Sequence, residues 1–204
     1  MKMAEKKRSK QHSPGRPRSE ASKTAILEAT VELLEESGYA ALTIEAIASR
    51  AGVGKSTIYR WWSNKDFVIF DAFLLSTETT LFFLEEGSLR ENFRQQLQSL
   101  ATTLNSALGR TVVGLVAGSG DKSEIAAAFH NHFLKSRRED AKRVIKRAIT
   151  EGEIQFTPNL DIVADMFYGP VYYRLLIQKK NVDSTFIDTL VDQVMKSICG
   201  SEVR

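Results

Sequence analysis

The chain of 204 residues has one cysteine, Cys199, so no disulfide can form within it. That excludes a disulfide scaffold and fits a reducing compartment. The thiol lies near the C-terminus and reads as inert rather than reactive. No stretch approaches the ~18 uninterrupted apolar residues of a membrane span. The N-terminus is charged with no apolar core behind it, which excludes a secretory signal. There are four prolines, and none between Arg18 and Thr157. So long a run without proline is expected of a mostly helical chain. Alternating apolar and polar segments of useful length are also missing, so no sheet is expected. What remains is a cytoplasmic all-α protein, and its 43% hydrophobic content suffices for a core of one or two domains.

Acidic residues are scarce at one end. Residues 1–18 hold seven Lys or Arg and one acid, a net +6 against +3 for the whole chain, so the other 186 residues sum to −3. The tail should seek DNA and the bulk should avoid it. Within the tail, Gly15-Arg16-Pro17-Arg18 suits an arm in a narrow minor groove, whose negative potential attracts Arg16 and Arg18. The plainer alternative is a solvated solubility tail.

Thr43 to Lys65 is the most informative stretch. Thr43 can cap a helix through its hydroxyl. Ile44, Ile47, Ala48 and Ala51 then fall at helical spacing. Gly52 supplies the positive φ that ends a helix cheaply, and Val53 plugs the angle. A second helix starts at about Gly54, with Ile58 and Trp62 facing inward. Lys55, Ser56, Thr57, Tyr59 and Arg60 are left outside, the donors and cations that meet phosphates and base edges. Two helices joined by a short glycine-containing turn make a helix-turn-helix. Gly52-Val53-Gly54-Lys55-Ser56-Thr57 also resembles the end of a P-loop. That motif needs a glycine where Ser49 stands and a strand where Ala46 to Arg50 reads as helix.

The pattern resembles the tetracycline-repressor (TetR) family of bacterial transcriptional regulators. The resemblance rests on Ile26-Leu27-Glu28-Ala29, Gly38-Tyr39, Thr43-Ile44, Ile47-Ala48, Ala51-Gly52-Val53, Thr57-Ile58-Tyr59-Arg60 and Lys65, in order, over the first third of the chain. Gly169 to Leu176 also resembles a ligand-domain type of that family. One departure is Gly54, where a serine usually caps the recognition helix. The resemblance implies that Thr43, Tyr59 and Lys65 clamp phosphates, while Lys55, Ser56, Thr57 and Arg60 meet the groove. It implies a homodimer on a double-stranded operator and an unidentified small-molecule effector; no cofactor and no metal are expected.

The remaining pattern is helical. Expected helices run from Ser19 to Ser37, from Asn64 past Leu81, from Gly87-Ser88 onward, between Gly109 and Gly120, from Ser123 to Glu151, from Asn159 or Asp161 to about Gln178, and from Asp183 or Ser184 onward. Pro170 should kink the sixth of these. The last two are apolar on more than one face and should pair with their symmetry mates. Gly169, Tyr172, Leu176, Phe186, Leu190 and Val194 are the interface candidates. Phe83, Phe129, Phe133, Met166, Phe167 and Tyr173 are the pocket candidates. Tyr168, Tyr172, Tyr173 and Arg174 could either line a cavity or seal the dimer. His130 and His132, two apart on a helix, cannot share one ion. The basic run from Arg137 to Arg147 reads as a solvated face.

The expected architecture is all-α. A flexible basic arm occupies residues 1–18, a three-helix DNA-binding domain residues 19–66, and a ligand-binding and dimerisation domain residues 67–204. The rival functions are a P-loop enzyme and an architectural DNA binder that uses only the arm.

Overall fold

A computed structural model describes residues 16–78, 80–120, 123–155 and 157–199, with side chains from Glu20 onward. All regular structure among them is helical. The order is α1 (Arg16–Ala41), α2 (Ile44–Arg50), α3 (Lys55–Tyr59), α4 (Lys65–Glu78), α5 (Leu89–Asn105), α6 (Ala107–Gly118), α7 (Glu124–Phe129), α8 (Lys135–Thr150), α9 (Leu160–Tyr172) and α10 (Ser184–Cys199). None of these helices is long and apolar enough to cross a membrane.

Local signals explain most boundaries. Gly38 interrupts α1 with φ 73°, a conformation a side chain would resist. Thr43 Oγ1 accepts from Ala46 N–H at 3.1 Å and opens α2. Ser88 and Glu91 form a reciprocal capping box at α5. Asn159 Oδ1 caps α9 and Asp183 Oδ1 caps α10.

Three expectations are corrected. α1 starts at Arg16 rather than Ser19, so Arg16 to Arg18 begin a helix instead of ending an extended arm. Pro17 is compatible with a first turn, where its missing N–H has no intrahelical partner to lose. Residues 1–15 lie outside the described ones. α4 stops at Glu78, short of Leu81 to Phe83. Ser76 and Thr77 side chains bond back to the Phe73 and Leu74 carbonyls there, which favours an ending over continuation. The single helix expected over Ser123 to Glu151 contains a π-helical turn at His130–Leu134, between α7 and α8. A second π turn, Tyr173–Ile177, extends α9. Pro170 lies inside α9, and the helix continues through it.

The core runs unbroken from Ile26 and Leu34 through Ile47, Ile58, Val68 and Phe73 to Phe93, Phe133, Phe167 and Ile187. α6 packs against both α1 and α4 and so seats the N-terminal helices on the rest. Its own position depends on Gly109. A Cβ there would stand 2.1 Å from the Thr103 carbonyl oxygen and 2.7 Å from Leu104 Cα. Backbone atoms cannot yield as a side-chain tip can. Gly109→Ala is therefore expected to cost about 3 kcal/mol or more, lowering Tm by roughly 6–12 °C in a chain of this size. Thermal unfolding followed by circular dichroism checks it, and a wild-type Tm would contradict the close approach.

The basic run of α8 is a solvated face only in part: Arg143 and Lys146 are exposed, while the others are half-buried. Arg138 pairs with Asp165, and with Asp161 at 3.0 Å. Lys142 meets Asp161 at 2.7 Å. These bonds tie α8 to α9. Arg147 donates to the Glu85 carbonyl, and to the Gly87 carbonyl at 3.0 Å, holding the loop before α5.

Candidate functional site

α2 and α3 form the helix-turn-helix. Gly52 turns the chain with φ 65°. Val53 N–H bonds the Ala48 carbonyl at 3.0 Å, so the turn closes back onto α2. Gly54 precedes α3 and offers no side-chain cap. Ile58 and Trp62 are buried. The indole N–H of Trp62 donates to Asp71 Oδ2 at 2.9 Å, which ties the end of this unit to α4. The stretch before Gly52 is helix, not strand, so the glycine-lysine-serine sequence is a helix-turn-helix turn and not a P-loop.

With Ile58 and Trp62 fixed inward, the opposite face of α3 is open. Lys55, Ser56 and Arg60 are exposed, Thr57 is half-buried, and Tyr59 is 55% accessible. Thr43 is exposed at the start of α2. Lys55 Nζ sits 2.9 Å from Glu45 Oε1. That hydrogen bond raises the lysine pKa and lowers that of the glutamate. Glu45 is a residue that sequence reasoning missed, and any anion reaching Lys55 must compete with it. Arg50 faces elsewhere. It holds Glu36 at 2.7 Å and Glu32 at 3.0 Å, fastening α2 to α1. These bonds raise its pKa and lower that of Glu36.

Lys65 is more committed than the sequence suggests. Its ammonium donates to the carbonyls of Tyr39 at 3.0 Å and Leu42 at 2.9 Å. It also lies 4.1 Å from the Tyr39 ring centroid. Tyr39 in turn donates to Asp66 Oδ1 at 3.0 Å, while Asn64 Oδ1 accepts from Asp66 and Phe67 N–H. The start of α4 is thus internally satisfied. An ammonium has three N–H bonds, so one remains for an outside acceptor. Lys65→Met should cost about 1–2 kcal/mol by leaving the two carbonyls without a charged donor. Urea unfolding measures this, and unchanged stability would show that the two bonds contribute nothing.

The aromatic residues named for a pocket mostly pack against other rings of the core. Phe129 and Phe133 lie 5.0 Å apart beside Phe73. Phe167 stacks on Phe93 at 3.7 Å, and Phe83 meets the Phe93 ring edge-on at 5.1 Å. Met166 is half-buried, and Tyr173 is exposed. The last two share an outward stripe with Ile162, Gly169 and Ile177, at steps of four, three, four and four residues. Among the interface candidates, Tyr172, Leu176, Phe186 and Leu190 are half-buried and Gly169 is exposed. Val194 is buried within the chain.

A cleft of about 180 Å³ opens elsewhere, among Leu100 of α5, Leu134, Arg137 and Arg138 around the start of α8, and Asp165, Tyr168, Gly169 and Tyr172 of α9. Of the four residues left between cavity and dimer, Tyr168 and Tyr172 line it. Burial pushes both phenols above their ordinary pKa. Arg174 lies over the Phe186 ring at 4.5 Å and donates to the Asn181 carbonyl. His130 and His132 are both exposed.

A helix-turn-helix that turns a cationic helix face outward, joined to a larger helical body, defines a DNA-binding transcription regulator rather than an enzyme. Residues 26–71 match the family described as bacterial regulatory proteins, tetR family. Residues 84–194 match the tetracyclin repressor-like C-terminal domain. An uncharacterised helix-turn-helix regulator of Bacillus subtilis, YdeS, is 37% identical over 185 residues, which span 90% of this chain and 93% of that protein. A DNA-binding transcriptional repressor TetR of Mycobacteroides abscessus is 27% identical over 188 residues, with 87% and 94% covered. The crystal structure of the TetR family regulator SCO0332 superposes with TM-score 0.73 at 30% identity, covering 87% of this chain and 98% of that one. Bacillus subtilis FadR, solved with stearoyl-CoA, shares the fold at TM-score 0.60 and 19% identity, with 87% and 97% covered. The chain belongs to the TetR family of transcriptional regulators.

Proposed function

We propose that this protein is a cytoplasmic homodimeric repressor that binds a palindromic operator and leaves it when a small molecule enters the C-terminal helices. The observation that carries the reading is the outward face of α3, with Lys55, Ser56, Tyr59 and Arg60 exposed above a buried Ile58. In this reading Lys55, Ser56, Thr57 and Arg60 enter the major groove. Thr43, Tyr59 and the free N–H of Lys65 hold phosphates. Arg16 and Arg18 bring the basic tail to the flanking DNA. Two such helices must meet successive grooves about 34–36 Å apart, which calls for a dimer. The stripe of Ile162 and Met166 on α9 and Tyr173 and Ile177 on the π turn that extends it, beside Phe186 and Leu190 of α10, is the surface on which two copies would pair. Ile177 is 69% accessible and Ile162 58% in the single chain, which favours a partner there.

The test is a titration of the full chain against DNA flanking its own gene, with excess non-specific duplex present. The reading requires saturable binding at two chains per site. Binding that the competitor erases would remove it.

A further inference from the structure

Arg137 differs from the other arginines of α8. Arg138 and Arg143 each meet a carboxylate, at 3.0 Å and 3.1 Å, and Arg147 meets Glu151 at 3.8 Å. Arg137 has no carboxylate within 4.0 Å among the described residues. One guanidinium N–H reaches the Thr77 carbonyl at 3.4 Å, and the group lies 4.7 Å from the Phe133 ring centroid. Its buried Nε has no partner. The buried hydroxyl of Tyr168 also has none. Both residues line the cleft of about 180 Å³, with Leu100, Leu134 and Tyr172 as its apolar wall. Asp165, the acid on that wall, is engaged by Arg138. A cation with no carboxylate in direct contact and an unpaired hydroxyl at one small cleft are costly unless something completes them. Burial lowers the Arg137 pKa and raises that of Tyr168, each by disfavouring the charged form. Leu134 belongs to one π turn, and Tyr172 immediately precedes the other. Such turns recur at functional sites.

Size narrows the ligand. A dry cavity of ~150 Å³ holds a benzene, so a single ring with a small substituent fits the cleft of about 180 Å³. We propose that the cleft binds a monocyclic aromatic carboxylate, its ring against Leu100, Leu134 and Tyr172 and its carboxylate on Arg137 and Tyr168. This proposal rests on the ligand-responsive reading above and names the ligand class. It also supplies a coupling. Thr77 is in the last turn of α4, whose free carbonyls favour a cation. A carboxylate is a stronger acceptor for a guanidinium than a carbonyl at 3.4 Å. A bound carboxylate therefore competes with the Thr77 carbonyl for the Arg137 guanidinium at the end of α4, the helix whose other end anchors the turn before the helix-turn-helix through Lys65.

The probes are benzoate, benzyl alcohol and acetate, titrated by calorimetry into the full-length protein. Wild type should bind one benzoate per chain, at least about tenfold more tightly than benzyl alcohol, which lacks the charge, or acetate, which lacks the ring. Arg137→Gln should lose the preference for benzoate over benzyl alcohol, a ratio that survives partial destabilisation. Tyr168→Phe should weaken benzoate several-fold while the unliganded Tm holds or rises, because an unpaired buried hydroxyl has gone. Equal affinity for benzoate and benzyl alcohol in wild type, or full benzoate preference in Arg137→Gln, overturns the ligand class. Operator binding without probe tests the regulator reading separately. Benzoate should bind more weakly to the operator complex than to free protein, by the factor by which it weakens operator binding. Equal benzoate affinity in the two states overturns the coupling.

Discussion

Replacing Lys55, Tyr59 and Arg60 together with alanine is expected to leave a folded dimer that has lost its operator. The three side chains are exposed on α3 and at its C-terminal cap, Arg60, and are not part of the core, which holds the helix through Ile58 and Trp62. Circular dichroism and Tm should therefore stay near wild type. Two cations removed from each of two half-sites should flatten the slope of log K against log salt by about 3–4. Adding the loss of base-edge contacts, at ~1–3 kcal/mol each, operator affinity should fall on the order of 1,000-fold or more. Fluorescence anisotropy across a salt series gives both quantities. A variant that keeps its salt slope would place the DNA contacts on another surface.

The second large effect concerns pairing. Tyr173→Asp with Ile177→Asp should split the dimer while sparing the protomer, since both side chains already lie in solvent in the single chain. Two buried aspartates without partners cannot be tolerated in an apolar interface. A monomer would bind one half-site only, and losing the linked second contact should cost about 10²- to 10⁴-fold in operator affinity. Sedimentation equilibrium reports the first effect and an operator titration the second. A dimer that persists at micromolar concentration would show that the pairing surface lies elsewhere.

Much of this arrangement is legible in the chain because it depends on local chemistry. The spacing of Ile44, Ile47 and Ala48, the hydroxyl of Thr43 and the positive φ of Gly52 specify the helix-turn-helix without help from distant residues. The same holds for Ser88 before α5 and Asn159 before α9. Features decided by packing are not legible. Leu81 to Phe83 continue the apolar pattern of α4, yet the helix ends at Glu78. The π turns leave no mark in a 3.6-residue period. Phe129, Phe133 and Phe167 look like a ligand wall because they are large and apolar, but in the fold Phe129 packs on Phe133 and Phe167 stacks on Phe93. Arg137 is hidden for the opposite reason. It lies in a run of cations that reads as one wet surface, and only the approach of Thr77, Phe133 and α9 covers its Nε. Lys65 is legible as a cation at a helix start, but its hold on Tyr39 and Leu42 is a property of the folded turn.

The central claim is that α3 of two paired chains reads two symmetric half-sites. The most direct measurement is selection of bound duplexes from a random-sequence pool by the purified full-length protein, repeated with the alanine variant of Lys55, Tyr59 and Arg60. The account predicts one enriched palindrome for the wild type, with half-sites about one helical turn or a multiple apart, and no enrichment for the variant. Enrichment of AT-rich sequence without a palindrome, equal in both proteins, would contradict it.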